Sequence, residues 1–351
     1  MWVPPGGGVG WSRAARVGGP PGRTGRDPSG GAVLAQQLTS LTGPDGLEPA
    51  DLPVPEGGTG EVLVDVAAAG VAYPDLLMST GAYQVRHPLP LVLGLEAAGT
   101  VRSAPAGSGF APGQRVAVLG ERGTWQQVVA APSERVLPLP DGISDDAAAG
   151  FPLNHLTCWF ALRRRARVET GESVLVHGAS GGVGQAALAL CRALGLPSIA
   201  IVRDPGRPLP VPADHVVGAD GWREAVRELT DGRGVDVVLD PVGGERFPDT
   251  LRSLAPEGRV VVLGFVGGDI PTVRVNRLLL ANTAVLGAGL AEYLRCDPGY
   301  ARTAWDELRS LLEGGRLVVT EPRVRPLAEA ADALRELGEG RAAAKTVLRL
   351  P

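Results

Sequence analysis

The chain of 351 residues is long enough for two domains, and its 44% hydrophobic and 21% charged residues suit a globular protein with a sizeable core. A formal net charge of −4, and the lack of any apolar run near the roughly 18 residues of a membrane span, argue against nucleic-acid and membrane partners. Three scattered cysteines, Cys158, Cys191 and Cys296, predict neither a disulfide framework nor a cysteine-rich zinc site, which favours a reducing, cytoplasmic setting.

Residues 1–31 differ from the rest, with ten glycines, five prolines and four arginines but a single acid, Asp27. Such a segment cannot bury enough apolar surface to offset its ordering entropy, and it lacks the apolar core of a secretory signal. We predict a disordered N-terminal extension, or an upstream stretch from a misassigned start codon. A basic targeting segment is the alternative.

Residues 32–152 contain short strand-like runs between segments rich in glycine and proline. The runs are 32–35, 61–66, 98–101, 114–119 and 126–130. Closely spaced short strands with few long helices predict a compact, barrel-like, β-rich domain.

Residues 153–292 change to apolar strands that alternate with helices. The predicted strands are 172–177, 198–202, 214–217, 235–240, 258–265 and 284–290, and the predicted helices are 185–194 and 222–230. Continuous apolar strands between helices are typical of a parallel sheet covered on both faces. We therefore predict an α/β fold with a Rossmann-type, doubly wound parallel sheet.

Residues 293–351 return to mixed character. Helices are predicted at 300–313 and 327–337, and strands at 316–320 and 345–350. The Rossmann-type domain is therefore either inserted into the first domain or appended to it.

A glycine-rich turn, 178–184, follows the first strand of the Rossmann-type domain. Its glycines let the backbone approach a pyrophosphate, although Ala179 stands where the usual first glycine would be. The N terminus of the next helix then points its free N–H groups at the phosphates; a tight turn without a ligand is the alternative. The predicted cofactor-binding residues here are Ala179, Ser180, Gly181, Gly182, Val183 and Gly184.

The end of the second strand bears on the choice between NADH and NADPH. An acid about 20 residues after the last glycine binds the ribose hydroxyls of NAD, but here Arg203 lies 19 residues after Gly184. A guanidinium pairs instead with a 2′-phosphate, and Arg207 adds charge nearby. The sequence favours NADPH, while Asp204 keeps the NAD alternative open.

Five segments carry a more specific pattern: AGVAYPDLL at 69–77, GAY at 81–83, GLEAAG at 94–99, HGASGGVG at 177–184 and GVDVVLDPVGG at 234–244. Together they resemble the medium-chain dehydrogenase/reductase superfamily, specifically its zinc-independent quinone oxidoreductase branch. The resemblance implies a GroES-like catalytic domain, 32–152 and 293–351, split around a Rossmann NADPH-binding domain, 153–292. It also implies a homodimer joined near residues 284–290.

The zinc alcohol dehydrogenases of this superfamily have a cysteine after Gly-Val and a histidine inside Gly-His-Glu. This sequence has Ala72 and Leu95 at those positions. Neither side chain can bind a metal, and catalytic zinc needs three protein ligands. We therefore expect no metal at this site.

Without zinc, hydrogen-bond donors must polarise the substrate carbonyl. Tyr83 matches the substrate-side tyrosine that the resemblance implies, and Tyr73 is the nearby alternative. Both are candidate catalytic residues. The sequence departs from the branch at Ala72, where quinone reductases usually carry an asparagine.

Other candidate cofactor contacts rest on the resemblance. They are Asn154 and Thr157 beside the nicotinamide, Gly264, Phe265 and Val266 after a sheet strand, and Arg341 and Lys345 toward the phosphates. Ala344 replaces the usual glycine before the lysine, and the proline-rich segment 204–213 is shorter than its counterpart. No histidine is assigned a catalytic role; of the four, His155 lies nearest to the predicted site.

These observations predict hydride transfer from NADPH to a small-molecule quinone or an activated alkene such as an enone. Ala72 and the shortened loop motivate an alternative, an NADPH-binding redox sensor or structural protein with little turnover. A zinc alcohol dehydrogenase is the function that the sequence favours least.

Overall fold

The computed structural model describes residues 31–342 and 344–351, and residues 32–351 form one compact unit. The extension predicted at 1–31 lies, except for Gly31, outside the described residues. Among the described helices, none has both the length and the hydrophobicity needed to cross a membrane.

The first part of the described chain is β-rich. Its elements are β1 (Ala32–Leu38), β2 (Leu47–Pro53), β3 (Glu61–Gly70), α1 (Tyr73–Ser79), β4 (Leu91–Val92), β5 (Glu96–Ser103), β6 (Arg115–Leu119), β7 (Val128–Pro132), β8 (Val136–Pro138), α2 (Asp145–Ala149) and α3 (Pro152–Trp159). Strand β1 lies between β2 and β4, whereas β3, β5, β6, β7 and β8 belong to a second sheet. Along β3, buried Val62, Val64 and Val66 alternate with more exposed residues, as in a strand with one face in the core.

The middle of the chain forms a six-stranded parallel sheet. Its elements are β9 (Val174–His177), α4 (Gly182–Leu194), β10 (Ser198–Val202), β11 (His215–Gly218), α5 (Trp222–Leu229), β12 (Val235–Asp240), α6 (Phe247–Arg252), β13 (Leu254–Val262), α7 (Val275–Ala281) and β14 (Ala284–Gly287). The strand order is β11-β10-β9-β12-β13-β14, so the order reverses between β9 and β12. Ligands bind at such a reversal, beyond the carboxyl ends of the strands.

The last part of the chain returns to the β-rich sheet. Its elements are α8 (Leu290–Cys296), α9 (Tyr300–Glu313), β15 (Arg323–Pro326), α10 (Ala330–Gly338) and β16 (Thr346–Arg349). Strand β16 pairs antiparallel with β3, with Val347 opposite Gly70, and β15 pairs with β16. Strand β3 from the first part of the chain and β15 and β16 from the last part therefore share one sheet.

Both faces of the parallel sheet are covered, which explains its continuous apolar strands. On one face, Val176 and Leu239 belong to the same core as Leu188 of α4. On the other, Leu175 belongs to a second core with Phe247 of α6. The predicted α/β class, a Rossmann-type doubly wound sheet with a β-rich partner, is confirmed, while the domain limits at 152/153 and 292/293 stay a prediction.

The strand predicted at 316–320 is wrong. Helix α9 ends at Glu313, and residues 316–320 form a bend followed by irregular backbone. Leu317, one of the apolar residues that suggested a strand, instead closes the end of the helix, because it is buried and its N–H donates to Leu311 O at 3.1 Å. The next strand is β15, three residues further on. The strand predicted at 284–290 also ends earlier, at Gly287, and Leu290 begins α8.

Candidate active site

The glycine turn between β9 and α4 is shaped by backbone contacts that exclude side chains. Gly178 has a φ of +60°, and a Cβ added at Gly184 would overlap the Gly178 carbonyl oxygen. Ala179 is fully buried, and its N–H donates to Ile201 O at 3.1 Å. The turn therefore holds the start of α4 directly against the ends of β9 and β10.

Ser180, Gly181 and Gly182 form the exposed rim of this turn, at the N terminus of the 13-residue helix α4. The N–H groups of a first helical turn have no partners within the helix and, together with the helix dipole, favour an anion. A Cβ on Gly182 would come within 2.6 Å of Asn154 Nδ2, so α3 packs closely on the rim. The space above the rim suits a pyrophosphate.

A cleft runs along this rim between α3, α4 and the C-terminal segment. Its polar lining includes Asn154, His155, Ser180, Gln185 and Lys345, together with the backbone of Gly181 and Gly182. The structure thus brings five predicted cofactor residues into one cleft: Asn154, Ser180, Gly181, Gly182 and Lys345.

Two other predicted residues have their polar groups engaged within the protein. The Thr157 hydroxyl donates to Leu153 O at 2.6 Å, one turn back along α3. The carbonyl oxygen of Val183 accepts the Cys158 thiol at 3.2 Å. The first contact lies within α3, and the second joins α3 to α4 at the edge of the cleft.

Further predicted residues lie beyond the carboxyl ends of β12 and β13, where the strand order reverses. Val242 Cγ2 is 3.2 Å from the position of a Cβ on Gly178, so the ends of β9 and β12 are in contact. The N–H of Val266 donates to Pro241 O at 3.1 Å, while Phe265 is 40% exposed and Gly264 is half-buried. Gly264, Phe265 and Val266 therefore lie at the carboxyl edge of the parallel sheet, close to the glycine turn.

Arg203, at the end of β10, reaches the turn that follows α10. One terminal guanidinium nitrogen donates to Gly340 O at 3.3 Å. The adjacent Arg341 is exposed and pairs with Glu339. Two predicted phosphate ligands, far apart in sequence, therefore meet at one turn.

The neighbouring loop supplies a third arginine and the competing acid. Arg207 is exposed. The Asp204 carboxylate accepts the N–H of Gly206 at 3.0 Å, so it is engaged within its own loop. One carboxylate oxygen of Asp204 is therefore used within the loop, while the Arg207 side chain is exposed beside it.

Lys345 lines the cleft, but its ammonium group points into the protein. Nζ lies 2.5 Å from Glu96 Oε1 and donates to Val71 O at 2.8 Å. The second carboxylate oxygen, Glu96 Oε2, accepts the N–H of Leu153 at 2.8 Å. The sequence predicted that Lys345 contacts a cofactor phosphate, but in this structure its ammonium group pairs with Glu96 and Val71.

A second buried carboxylate, Asp75, holds the segments that carry Ala72 and Leu95. It accepts the N–H of Ala72 at 2.8 Å and the N–H of Gly94 at 2.9 Å. Burial raises the pKa of Asp75 to about 7, against the opposing effect of these two hydrogen bonds. Within residues 31–342 and 344–351, no three His, Cys, Asp or Glu side chains are grouped so that they could hold a metal ion.

Tyr83 and Tyr73 lie at opposite ends of helix α1. Tyr73 is its first residue, and Tyr83 follows its C-terminal turn, half-buried against the core of the β-rich part. Burial, followed by the negative charge of Glu292, raises the pKa of Tyr83 above its ordinary value. The Tyr83 hydroxyl therefore stays protonated at neutral pH and can act as a donor.

His155 has a more defined setting than the sequence suggested. Its ring stacks on Phe151 with centroids 3.7 Å apart, and its Nδ1 lies 2.9 Å from Phe151 O. Because a carbonyl oxygen only accepts, Nδ1 carries the proton. Burial lowers the pKa of His155 to about 4, so a neutral imidazole lines the cleft.

The sequence prediction missed Glu96 and Asp75. Both lie inside segments that carried the resemblance, yet no role was assigned to either. A carboxylate in an otherwise apolar run is the available signal, since unpaired acids are rarely fully buried. The sequence offered no indication of which residue each one pairs with.

Two family models match the chain. One is described as an alcohol dehydrogenase GroES-like domain and matches residues 58–141, and the other is described as a zinc-binding dehydrogenase and matches residues 211–348. Quinone oxidoreductase-like protein 2 of Bos taurus is 32% identical over 300 residues, which are 83% of this chain and 85% of that protein. The chain also matches a mycocerosic acid synthase-like polyketide synthase of Mycobacterium tuberculosis at 33% identity, but it spans 14% of that protein's length.

Solved structures are similar over the same extent. A probable oxidoreductase from Mycobacterium abscessus has a TM-score of 0.82 and 39% identity, covering 92% of this chain and 100% of that one. A mycobacterial protein solved in complex with NADPH has a TM-score of 0.82 and 29% identity, covering 90% of this chain and 99% of that one. The similarity therefore includes both the β-rich part and the parallel sheet.

Proposed function

The chain belongs to the medium-chain dehydrogenase/reductase superfamily, in its quinone oxidoreductase branch, and from that premise we propose that it is a zinc-independent, NADPH-dependent reductase. The observation that carries the proposal is the glycine rim at the N terminus of α4, closed by Asn154 on one side. This rim is open to an anion and lies at the reversal of strand order.

The preference for NADPH rests on Arg203 and Arg341. Both guanidinium groups lie at the turn that follows α10, which Arg203 reaches from the end of β10. A 2′-phosphate is a ligand that such groups bind with paired, charge-assisted hydrogen bonds. The mycobacterial neighbour solved with NADPH supports the same cofactor. Gly264, Phe265 and Val266 are proposed to flank the nicotinamide half, together with Asn154 and Thr157.

The proposed independence from zinc rests on the chemistry of the side chains. Ala72 and Leu95 are both 6% exposed and have no donor atoms, so neither can bind zinc. Asp75 holds the two segments together through their backbone N–H groups. A stoichiometric zinc content in the purified protein would contradict this part of the proposal.

The cofactor, when bound, supplies a hydride, and the protein must orient the acceptor and supply a proton or a hydrogen bond. With a quinone, one hydride and one proton give the hydroquinone. With an activated alkene, hydride adds to the β-carbon and a proton to the α-carbon, while negative charge develops on the carbonyl oxygen. Tyr83 is proposed to donate to that oxygen, and Tyr73 is the alternative donor.

The proposed domain limits are 32–152 and 293–351 for the catalytic domain and 153–292 for the Rossmann domain. The proposed assembly is a homodimer. Helix α7 supports the dimer, because Val275, Leu279 and Leu280 are 74%, 76% and 80% exposed. The next strand, β14, is the last one of the parallel sheet. An apolar helix beside a sheet edge suits a second copy of the chain.

The activity is tested by offering NADPH and two panels of acceptors, quinones and enoyl thioesters, to the protein. The oxidation of NADPH is measured as the decrease in absorbance of the reduced nicotinamide. The panel that is turned over, quinones, enoyl thioesters or both, identifies the acceptor class. Tight NADPH binding without turnover of any acceptor would contradict the reductase and favour a sensor.

A further inference from the structure

The Glu96–Lys345 ion pair is almost completely enclosed. Glu96 is 0% exposed and the Lys345 side chain 13%, with 2.5 Å between Oε1 and Nζ. The space around the pair is tight: a Cβ on Gly70 would lie 2.6 Å from Glu96 Oε1, and one on Gly150 would lie 2.8 Å from Lys345 Cγ. The two charges therefore have little room to move apart.

The pair connects two segments that carry residues proposed to contact the acceptor and the nicotinamide. Through Nζ it holds the carbonyl oxygen of Val71, next to Ala72 and Tyr73 on the substrate side. Through Oε2 it holds the N–H of Leu153, next to Asn154 on the nicotinamide side. Strand β16 begins one residue after Lys345 and pairs with β3. The segment that carries the lysine is therefore itself anchored in the sheet.

We infer that Glu96 and Lys345 are a positioning pair, which fixes α3 relative to the segment 70–72 and so sets the nicotinamide against the acceptor. This inference deepens the proposed function and rests on it. It assigns the Lys345 ammonium to Glu96 and Val71 instead of to a cofactor phosphate, the role that the family resemblance implies. The phosphates are left to the glycine rim and to Arg203 and Arg341.

Removal of one partner from a buried ion pair leaves an uncompensated charge, whereas removal of both leaves none. The two roles of Lys345 therefore predict different results. If the lysine binds phosphate, Lys345→Met weakens NADPH binding and Glu96→Gln does not. If the two residues form a positioning pair, each single substitution disturbs the site and the double substitution restores much of it.

The experiment compares four variants with the wild-type protein: K345M, E96Q, E96Q/K345M and E172Q. The last is a matched control, because Glu172 forms an ion pair of similar length with Arg259, 2.5 Å, at the opposite, amino edge of the parallel sheet. Steady-state kinetics give kcat and KM for NADPH. Fluorescence titrations give the affinities for NADPH and for 2′,5′-ADP, a probe that carries only the adenosine-side phosphates.

We expect K345M and E96Q each to lower kcat by about ten-fold or more, with 2′,5′-ADP affinity within about three-fold of wild type. The double variant should recover most of the loss, and E172Q should lower thermal stability while leaving kcat and both affinities in place. Loss of NADPH affinity in K345M with wild-type behaviour in E96Q would overturn the inference. So would losses that simply add in the double variant.

Failure of the proposed function has a different signature. If the wild type binds NADPH but reduces no acceptor, the titrations still test the pair. The change in NADPH binding free energy in E96Q/K345M is then compared with the sum of the changes in E96Q and K345M. Additive affinities would in that case contradict the pair, and non-additive affinities would support it.

Discussion

Arg203 donates from a terminal guanidinium nitrogen to the carbonyl oxygen of Gly340, 3.3 Å away. Gly340 has a φ of +66°, and a Cβ there would overlap the same nitrogen, so the guanidinium rests directly on the backbone of the turn. Arg341 follows immediately. A guanidinium held in this way loses less freedom when it binds a phosphate than one that is free in solvent.

We expect Arg203→Ala to lower NADPH affinity by about ten-fold and to leave NADH affinity unchanged, because the lost hydrogen bonds are those to the 2′-phosphate. Fluorescence titration with both cofactors measures the change. Arg192→Ala, an exposed arginine on α4, is the control and should behave as wild type. Equal losses for NADPH and NADH would contradict the assignment of Arg203.

Substitutions at Gly182 and Gly184 should separate cofactor binding from stability. In Gly184→Ala the new methyl meets backbone atoms of Gly178 and Ala179, so we expect a lower melting temperature and loss of NADPH binding. In Gly182→Ala it meets the end of the Asn154 side chain, which can move. We expect near wild-type stability there, with NADPH affinity about ten-fold weaker. Thermal melts and titrations would contradict this account if the two variants behaved alike.

Tyr83→Phe should lower kcat for an activated alkene by about a hundred-fold, and that for a quinone by less, because the hydroquinone takes protons readily from water. The raised pKa of Tyr83 keeps its hydroxyl protonated, so the donor is lost only as pH rises above that value. Tyr300→Phe is the control: Tyr300 is half-buried and packs on Phe160 and Tyr293. Unchanged kinetics in Tyr83→Phe would shift the role to Tyr73.

Asp75 should make stability depend on pH. Its pKa is about 7 in the folded protein, against an ordinary value of 3.8, so between these values the folded state binds more protons than the unfolded state. The free energy of unfolding should therefore fall, relative to that of Asp75→Asn, as pH rises from about 4 to 7. Urea unfolding of both proteins across this range measures the difference. Parallel curves would rule out a titrating Asp75.

The proposed dimer can be tested at helix α7. Leu280 is 80% exposed, and Leu280→Glu should convert a dimer to monomers without loss of the fold, because the charge would be buried at the contact. Light scattering after size exclusion gives the mass. Leu229→Glu, at an exposed leucine of α5, is the control and should leave the mass unchanged. A monomeric wild-type protein would contradict the proposal.

The sequence was sufficient to predict the glycine turn, because the apolar strand, the glycine spacing and the following helix are all local features. It was also sufficient for the class of the fold, since strands buried on both faces read as continuous apolar runs. The Glu96–Lys345 pair was not predictable, because the sequence around each residue does not specify which charged side chain it pairs with in the folded protein. The error at 316–320 has a related cause: Leu317 is apolar because it packs on α9, not because it belongs to a sheet.

The pairing of β16 with β3 has a consequence for synthesis of the protein. The six-stranded parallel sheet is complete once Gly287 has left the ribosome, so it can fold while translation continues. The β-rich sheet instead waits for residues 346–349, and until then Ala68–Gly70 at the end of β3 lack this partner, as does β15. Premature termination shortly before this strand would thus release a folded parallel sheet beside a β-rich sheet with unpaired, aggregation-prone backbone at the end of β3 and along β15.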